Sequence, residues 1–301
     1  MTVSFEGRVA AITGAGGGLG RSYALELASR GAKIVVNDLG GDEFGSGGST
    51  DMANAVVDEI RAAGGEAVAN FGDISKYETG TSMAKAAIDN FGRLDVLICN
   101  AGILRDVSFG KMTEEDWDII FSVHVKGMFN AVHNAWPHMR EQGYGRIMLT
   151  SSTSGVWGNF GQTNYGAAKT AMLGFMNSLK HEGQKYDIKI NALTPAAGTR
   201  LTATVLTEEW LDKAKPEFVT PLVTYLVSEN CPDSGSIYHA GMGRYHRTAL
   251  MRGPVTEVDT DEIKTAEWME DNWDQISSLE NPEAMWDGRT TQAEYDAARK
   301  K

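Results

Sequence analysis

The chain reads as an α/β protein, a Rossmann-like doubly wound parallel sheet of seven strands with helices on both faces. Three observations predict this. Short apolar runs alternate with helical patterns through the first 195 residues. Strand–helix alternation of this kind requires right-handed crossovers and a sheet covered on both sides. A glycine-rich turn stands at the first strand–helix junction. With 301 residues, 42% hydrophobic and 23% charged, the chain can bury a full core without disulfides or metals.

The elements follow in order. Val9–Thr13 is an apolar run of strand length, and 19–30 places Leu19, Tyr23 and Leu27 near one helical stripe. Lys33–Asp38 is the second strand. Residues 51–63 carry Ala53, Val56, Val57 and Ile60 at helical spacing, ended by Gly64-Gly65. A weaker strand at 66–71 precedes a helix over 75–91, with Met83, Ala87 and Phe91 on one face. Strand 94–99 leads to a long helix over 115–139, with Trp117, Ile120, Phe121, Val125, Met128 and Val132 inward. Strand 146–151, helix 164–182 and strand 188–193 repeat the pattern, and 236–240 supplies the seventh strand. Gly40–Gly48 reads as a flexible loop.

Charge divides the chain. The net charge is −12, which argues against a nucleic-acid partner. Residues 254–296 alone hold thirteen acids against Lys264 and Arg289. The composition shifts near Gly253-Pro254, and two regions are expected: a nucleotide-binding domain over 1–245 and a helical C-terminal extension over 246–301. Trp268, Trp273 and Trp286 favour a packed lid or dimer element over a free acidic tail. Nothing approaches the length of a membrane span, and no signal peptide is visible. Two cysteines, Cys99 and Cys231, form neither a disulfide framework nor a zinc spacing, so a reducing cytoplasmic setting is expected. The histidines show no ligand-like pattern, and no metal is expected.

The turn after the first strand runs Thr13-Gly14-Ala15-Gly16-Gly17-Gly18-Leu19-Gly20. Glycine lets backbone approach a pyrophosphate closely, and the following helix presents free N–H groups to the anion. Asp38 ends the second strand. A carboxylate there accepts both hydroxyls of an adenosine ribose and repels a 2′-phosphate, so NAD is expected over NADP.

The spacing Thr-Gly-x3-Gly-x-Gly resembles the short-chain dehydrogenase/reductase family. So do Asn100-Ala101-Gly102 after the fourth strand, Tyr165-x3-Lys169, and Ser152 thirteen residues before Tyr165. The resemblance covers about residues 5–245. It implies NAD contacts from Thr13, Gly14, Gly18, Leu19, Gly20, Asp38, Asp73, Ile74, Asn100, Ala101, Gly102, Tyr165, Lys169 and Pro195. It also implies a homodimer or homotetramer. The family's usual glycine after Pro195 is Ala196 here.

Segments 37–42, 100–106, 123–127 and 158–162, with Arg247-Thr248 and Asn272-Trp273, resemble a narrower subgroup. This is the dehydrogenase part of the peroxisomal multifunctional enzymes type 2, also called 17β-hydroxysteroid dehydrogenases type 4. That resemblance implies NAD-dependent oxidation of a (3R)-3-hydroxyacyl-CoA, in fatty-acid or sterol side-chain β-oxidation. The alternative is a hydroxysteroid dehydrogenase of 17β type. A non-catalytic NAD-binding sensor is a third class, disfavoured by the intact Ser152, Tyr165 and Lys169. The 301 residues hold no hydratase or sterol-carrier part, so a stand-alone, bacterial relative is expected.

Four residues are expected to carry the chemistry. Tyr165 and Lys169 lie four apart on a helix and share a face. A cation near 5 Å is worth roughly 3 kcal/mol, or about 2 pKa units, enough to bring a phenol toward neutral pH. Tyr165 then takes the hydroxyl proton as hydride leaves for NAD. Ser152 hydrogen-bonds the reacting oxygen. By the resemblance, Lys169 also holds the nicotinamide ribose. His124 stands where the general family has an asparagine, and a structural or proton-relay role is expected. A CoA ester would need cations at the mouth of the site, for which Arg105, Arg200, Arg244 and Arg247 are candidates. Cys99 reads as a small buried residue.

Overall fold

A computed structural model describes residues 3–42, 47–198, 209 and 213–284. Among them the strands β1 (Val9–Thr13), β2 (Lys33–Asp38), β3 (Ala67–Phe71), β4 (Val96–Cys99), β5 (Gly145–Thr150), β6 (Ile188–Pro195), β7 (Ile237–Gly241) and β8 (Arg244–Thr248) form one sheet. Its order is β3-β2-β1-β4-β5-β6-β7-β8. The pairs from β3 across to β7 are all parallel. Helices α1 (Gly18–Ser29), α2 (Asp51–Ala62), α3 (Tyr77–Phe91), α4 (Glu114–Phe121), α5 (Gly127–Gln142), α6 (Ser154–Trp157), α7 (Thr163–Gly183) and α8 (Thr220–Leu226) accompany the sheet.

The strand order reverses between β1 and β4, and ligand crevices open beyond the carboxyl ends of strands at such a point. β1, β4 and β5 are buried along their whole lengths. Two apolar layers cover the two faces. One gathers Ile12, Tyr23, Leu27, Ile34 and Val223; the other gathers Leu97, Met128, Met139, Ile147 and Met176. At the opposite ends of β1 and β4, the fully buried Asp95 accepts from the Val9 N–H at 2.9 Å and is paired with Arg8 and Arg93. These bonds balance the cost of burying the carboxylate.

Besides the helices α6 and α8, which the sequence pattern does not announce, two features depart from the expected elements. The sheet has an eighth strand. Met242 and Gly243, both at positive φ (52° and 73°), turn β7 back into β8. Positive φ at both central residues matches the right-handed strand twist. β8 is polar and mostly exposed, so it carries no apolar signal. The long helix over 115–139 is also interrupted. A π turn over Ser122–Lys126 separates α4 from α5 and contains His124.

The chain divides into two compact units, Met1–Arg247 and Thr248–Lys301. In the second, helices α9 (Ala266–Asp271) and α10 (Trp273–Ile276) and the short antiparallel pair β9 (Met251–Arg252) with β10 (Glu283–Ala284) are present. None of its described residues is buried, and Trp273 is 60% exposed. Trp286 and Arg200 lie outside the described residues.

Candidate active site

A cleft of about 520 Å³ opens at the carboxyl ends of the strands. It is lined at one end by Gly14, Gly17, Gly18, Asp38 and Asp73 and at the other by Ser152, Tyr165, Lys169 and His124. Of the residues expected to touch a dinucleotide, Thr13 and Gly20 stand behind this lining; the others form it.

Thr13 acts from behind. Its hydroxyl accepts the N–H groups of Asn100 and Ala101, both at 3.0 Å. The Asn100 amide donates back to the carbonyls of Thr13 and Gly14, at 3.1 and 3.0 Å. The ends of β1 and β4 are thus tied together. Gly14 sits at φ +63°, and a Cβ there would stand 2.8 Å from the Ala101 Cα. A Cβ on Gly20 would collide with the Gly14 carbonyl. The start of α1 has no side-chain cap and no acid in its first turn, so its free N–H groups can receive an anion.

The Asp38 carboxylate is held from two sides. The Gly16 N–H donates to Oδ2 and the Gly40 N–H to Oδ1, each at 2.7 Å. A carboxylate has further lone pairs for hydroxyl groups. An uncapped helix start, cramped glycines and an oriented acid together fit a nicotinamide dinucleotide.

At the other end, α7 positions Tyr165 and Lys169. The buried Asn164 fixes the start of this helix. Its amide donates to the carbonyls of Asp116 and Arg105, and its oxygen accepts the Tyr165 N–H at 2.8 Å. Lys169 is buried, donates to the Thr150 carbonyl at 2.6 Å, and lies 5.3 Å from the centre of the Tyr165 ring. Burial lowers its pKa to about 7. Burial also pushes the Tyr165 phenol up to about 12, against a hydrogen bond from Ser152 that pulls it down. The sequence reading expected Lys169 to lower the phenol. With the protein's own groups alone, desolvation is the largest influence on the phenol.

His124 is pinned tightly. Its Nε2 lies 2.9 Å from the Ile103 carbonyl, and its ring meets Tyr165 edge-on, with centroids 5.2 Å apart and planes at 87°. A Cβ on Gly102 would lie 2.5 Å from His124 Cε1, so the glycine makes room for the imidazole. Nδ1 is buried with no hydrogen-bond partner among the described residues. Burial and the nearby Lys169 hold the ring's pKa well below the ordinary value, so it is neutral. A small apolar cluster of Ile103, Ile120 and Ala168 packs against Tyr165. Cys99 is buried, and desolvation raises its thiol to about 12.

One group of cleft residues escaped the sequence reading as a group. Gln162 donates to Asp106 at 2.6 Å and accepts from Ser154 and Asn159 at 2.6 and 3.2 Å. Only the motif resemblance at 100–106 and 158–162 marked these segments, with no sign that they meet.

Residues 8–212 match the short chain dehydrogenase family. The chain is 48% identical over 284 residues to the peroxisomal multifunctional enzyme type 2 of Mus musculus, covering 92% of this chain and 37% of that one. It is 37% identical over 245 residues to a hydroxyacyl-CoA dehydrogenase of Mycobacterium tuberculosis, covering 75% and 74%. The solved full-length peroxisomal multifunctional enzyme type 2 of Drosophila melanogaster superimposes with a TM-score of 0.79 at 36% identity, covering 98% of this chain and 49% of that one. This chain therefore spans about a third to a half of those multifunctional enzymes. It belongs to the short-chain dehydrogenase family. It is an oxidoreductase acting on CH–OH groups of small molecules. Among the described residues no helix is long and apolar enough to cross a membrane.

Proposed function

We propose that the chain oxidises a (3R)-3-hydroxyacyl-CoA to the 3-ketoacyl-CoA with NAD. The observation that carries this reading is the likeness to the multifunctional enzymes over nearly the whole chain, joined to a cleft where Ser152, Tyr165 and Lys169 converge. The similarity to a hydroxyacyl-CoA dehydrogenase points to the same substrate class.

The dinucleotide would lie along the cleft, its pyrophosphate at the start of α1 and its adenosine ribose on Asp38. When bound, it supplies the hydride acceptor and a positive ring beside Tyr165. Tyr165 takes the hydroxyl proton. Ser152 orients the substrate oxygen and donates to it as charge builds there. Lys169 holds the nicotinamide ribose and, once protonated there, favours the phenolate. His124 keeps the tyrosine ring in place. Asp38 supports NAD over NADP: its two backbone donors fix a negative charge where a 2′-phosphate would stand. Two buried free cysteines are compatible with a reducing, cytoplasmic setting.

A side-by-side kcat/KM panel of (3R)-3-hydroxyacyl-CoA esters and free hydroxysteroids, with NAD and NADP, tests the reading. A steroid preference would overturn it. The extension beyond residue 245 is proposed to act as a lid or a dimer element. Deleting residues 254–301 should then raise KM for the acyl-CoA far more than KM for NAD, or loosen the dimer. Unchanged acyl-CoA kinetics and oligomeric state would reduce it to a solvated tail.

A further inference from the structure

Gln162 has almost no freedom in the way it presents its amide. It is 9% exposed and lines the cleft together with Ser154, Asn159, Ser152 and Tyr165. Its oxygen accepts two hydrogen bonds, from the Ser154 hydroxyl at 2.6 Å and the Asn159 amide at 3.2 Å, which uses both lone pairs. Its nitrogen donates one hydrogen to Asp106 Oδ2 at 2.6 Å. A flipped amide would set its oxygen against the carboxylate, acceptor against acceptor. The orientation is therefore dictated from outside the cleft, by an acid 56 residues away in sequence. A second bond joins the same two loops: the Val107 N–H donates to the Gly161 carbonyl at 2.8 Å. Once these bonds are counted, one N–H of Gln162 remains without a partner among the described residues. At Gln162 the wall of the cleft therefore offers a donor and no free acceptor.

We infer that Asp106 is a specificity-determining positioning residue, which holds Gln162 as a donor so that the site selects alcohols bearing a carbonyl acceptor beside the carbinol. The inference rests on the proposed function and deepens it. A 3-hydroxyacyl thioester carries its carbonyl two carbons from the hydroxyl-bearing carbon. A plain secondary alcohol offers nothing to the donor and leaves a buried N–H unpaired. Asp106 touches neither substrate nor cofactor in this scheme; it acts through Gln162.

The test uses two substrates that differ only in the acceptor: a 3-hydroxyacyl thioester of N-acetylcysteamine and the thioether in which CH2 replaces its carbonyl. Wild type should favour the thioester by at least about tenfold in kcat/KM, the scale of one hydrogen bond plus the unpaired donor left behind. Asp106→Asn, which can donate back and release the flip, and Gln162→Glu, which has no N–H, should each cut that preference by about tenfold. Asp106→Glu keeps an acceptor and should restore most of it. A merely structural role would lower both substrates alike and leave the ratio unmoved. Melting temperature and NAD binding show whether each variant is folded, and either variant alone can decide the matter. The inference is overturned if wild type treats the two substrates alike. It is overturned equally if the ratio or the thioester kcat/KM stays unchanged in both variants, and the proposed function then still stands. If wild type oxidises no 3-hydroxyacyl thioester, the proposed function fails, and the inference fails with it.

Discussion

The two ends of the cleft treat charge in opposite ways. At the Gly14–Asp38 end the ionised group is a carboxylate that keeps two backbone donors at 2.7 Å and partial contact with solvent. At the Tyr165–Lys169 end the amine and the imidazole are buried, and burial pushes both toward neutrality. The first end is built to hold its partner with charges already set. The second waits for its partner to set them. On the proposed function, recognition and chemistry draw on different physics within one crevice, hydrogen-bond geometry at one end and desolvation at the other.

The largest effect should come from the desolvated end. Tyr165→Phe removes the proposed proton acceptor and leaves the rest of the lining intact. Turnover should fall by at least about a hundredfold while NAD binding, followed by fluorescence titration, is retained. A variant keeping more than about a tenth of wild-type kcat would place the base elsewhere.

Next comes the contact that locks this end. Gly102→Ala places a methyl 2.5 Å from His124 Cε1 and must displace the imidazole that braces Tyr165. A loss of roughly tenfold or more in kcat is expected, with little change in KM for NAD. The double variant with His124→Asn should be milder than the sum of its parts, because the smaller side chain gives way. Additive losses would separate Gly102 from the histidine. His124→Leu alone should be worse than His124→Asn, since the Ile103 backbone then loses its polar partner at Nε2.

The recognition end should respond more mildly. Asp38→Ser removes the fixed charge and leaves the Gly16 and Gly40 N–H groups with a weaker acceptor. The NAD-to-NADP ratio of kcat/KM should fall by about tenfold, mostly through KM for NAD. Equal use of both cofactors by wild type would erase the contrast between the two ends.

The smallest effect is on stability. The folded pKa of Lys169, about 7, lies below the ordinary 10.5, so the unfolded chain binds more protons between those values. Stability from this group therefore rises with pH across that window and is flat below it. Lys169→Met should remove the slope. The variant should be the more stable protein near pH 6, by on the order of 1–2 kcal/mol, with the gap closing toward pH 10 in thermal melts. A parallel pH dependence in both proteins would mean that the amine is not desolvated.

This contrast also marks what the sequence discloses. β1 and β2 were legible to the residue, because unbroken apolar runs bounded by turn residues identify buried parallel strands. The glycine turn, Asp38 and the Tyr165–Lys169 pair were legible too, since each is a local pattern. The π turn was not: one extra residue in the ladder leaves the apolar spacing of 115–139 nearly unchanged. β8 was hidden because Arg244-Tyr245-His246-Arg247-Thr248 packs no apolar face. The bond from Asp106 to Gln162 joins two loops, and no local spacing announces it. The upward push of burial on the Tyr165 phenol is likewise invisible in local spacing, because burial is a tertiary quantity.

The tie between Thr13 and Asn100 carries a calorimetric consequence. Four hydrogen bonds fasten the glycine turn to the neighbouring strand before any ligand arrives. The loop has therefore already surrendered its conformational entropy during folding, at about 1–2 kcal/mol per fixed residue, and has little left to lose on association. Dinucleotide binding should show a correspondingly small entropic penalty from ordering. Asn100→Ala would move that penalty back into the binding step, appearing as a less favourable binding entropy in a titration whose contacts are otherwise the same.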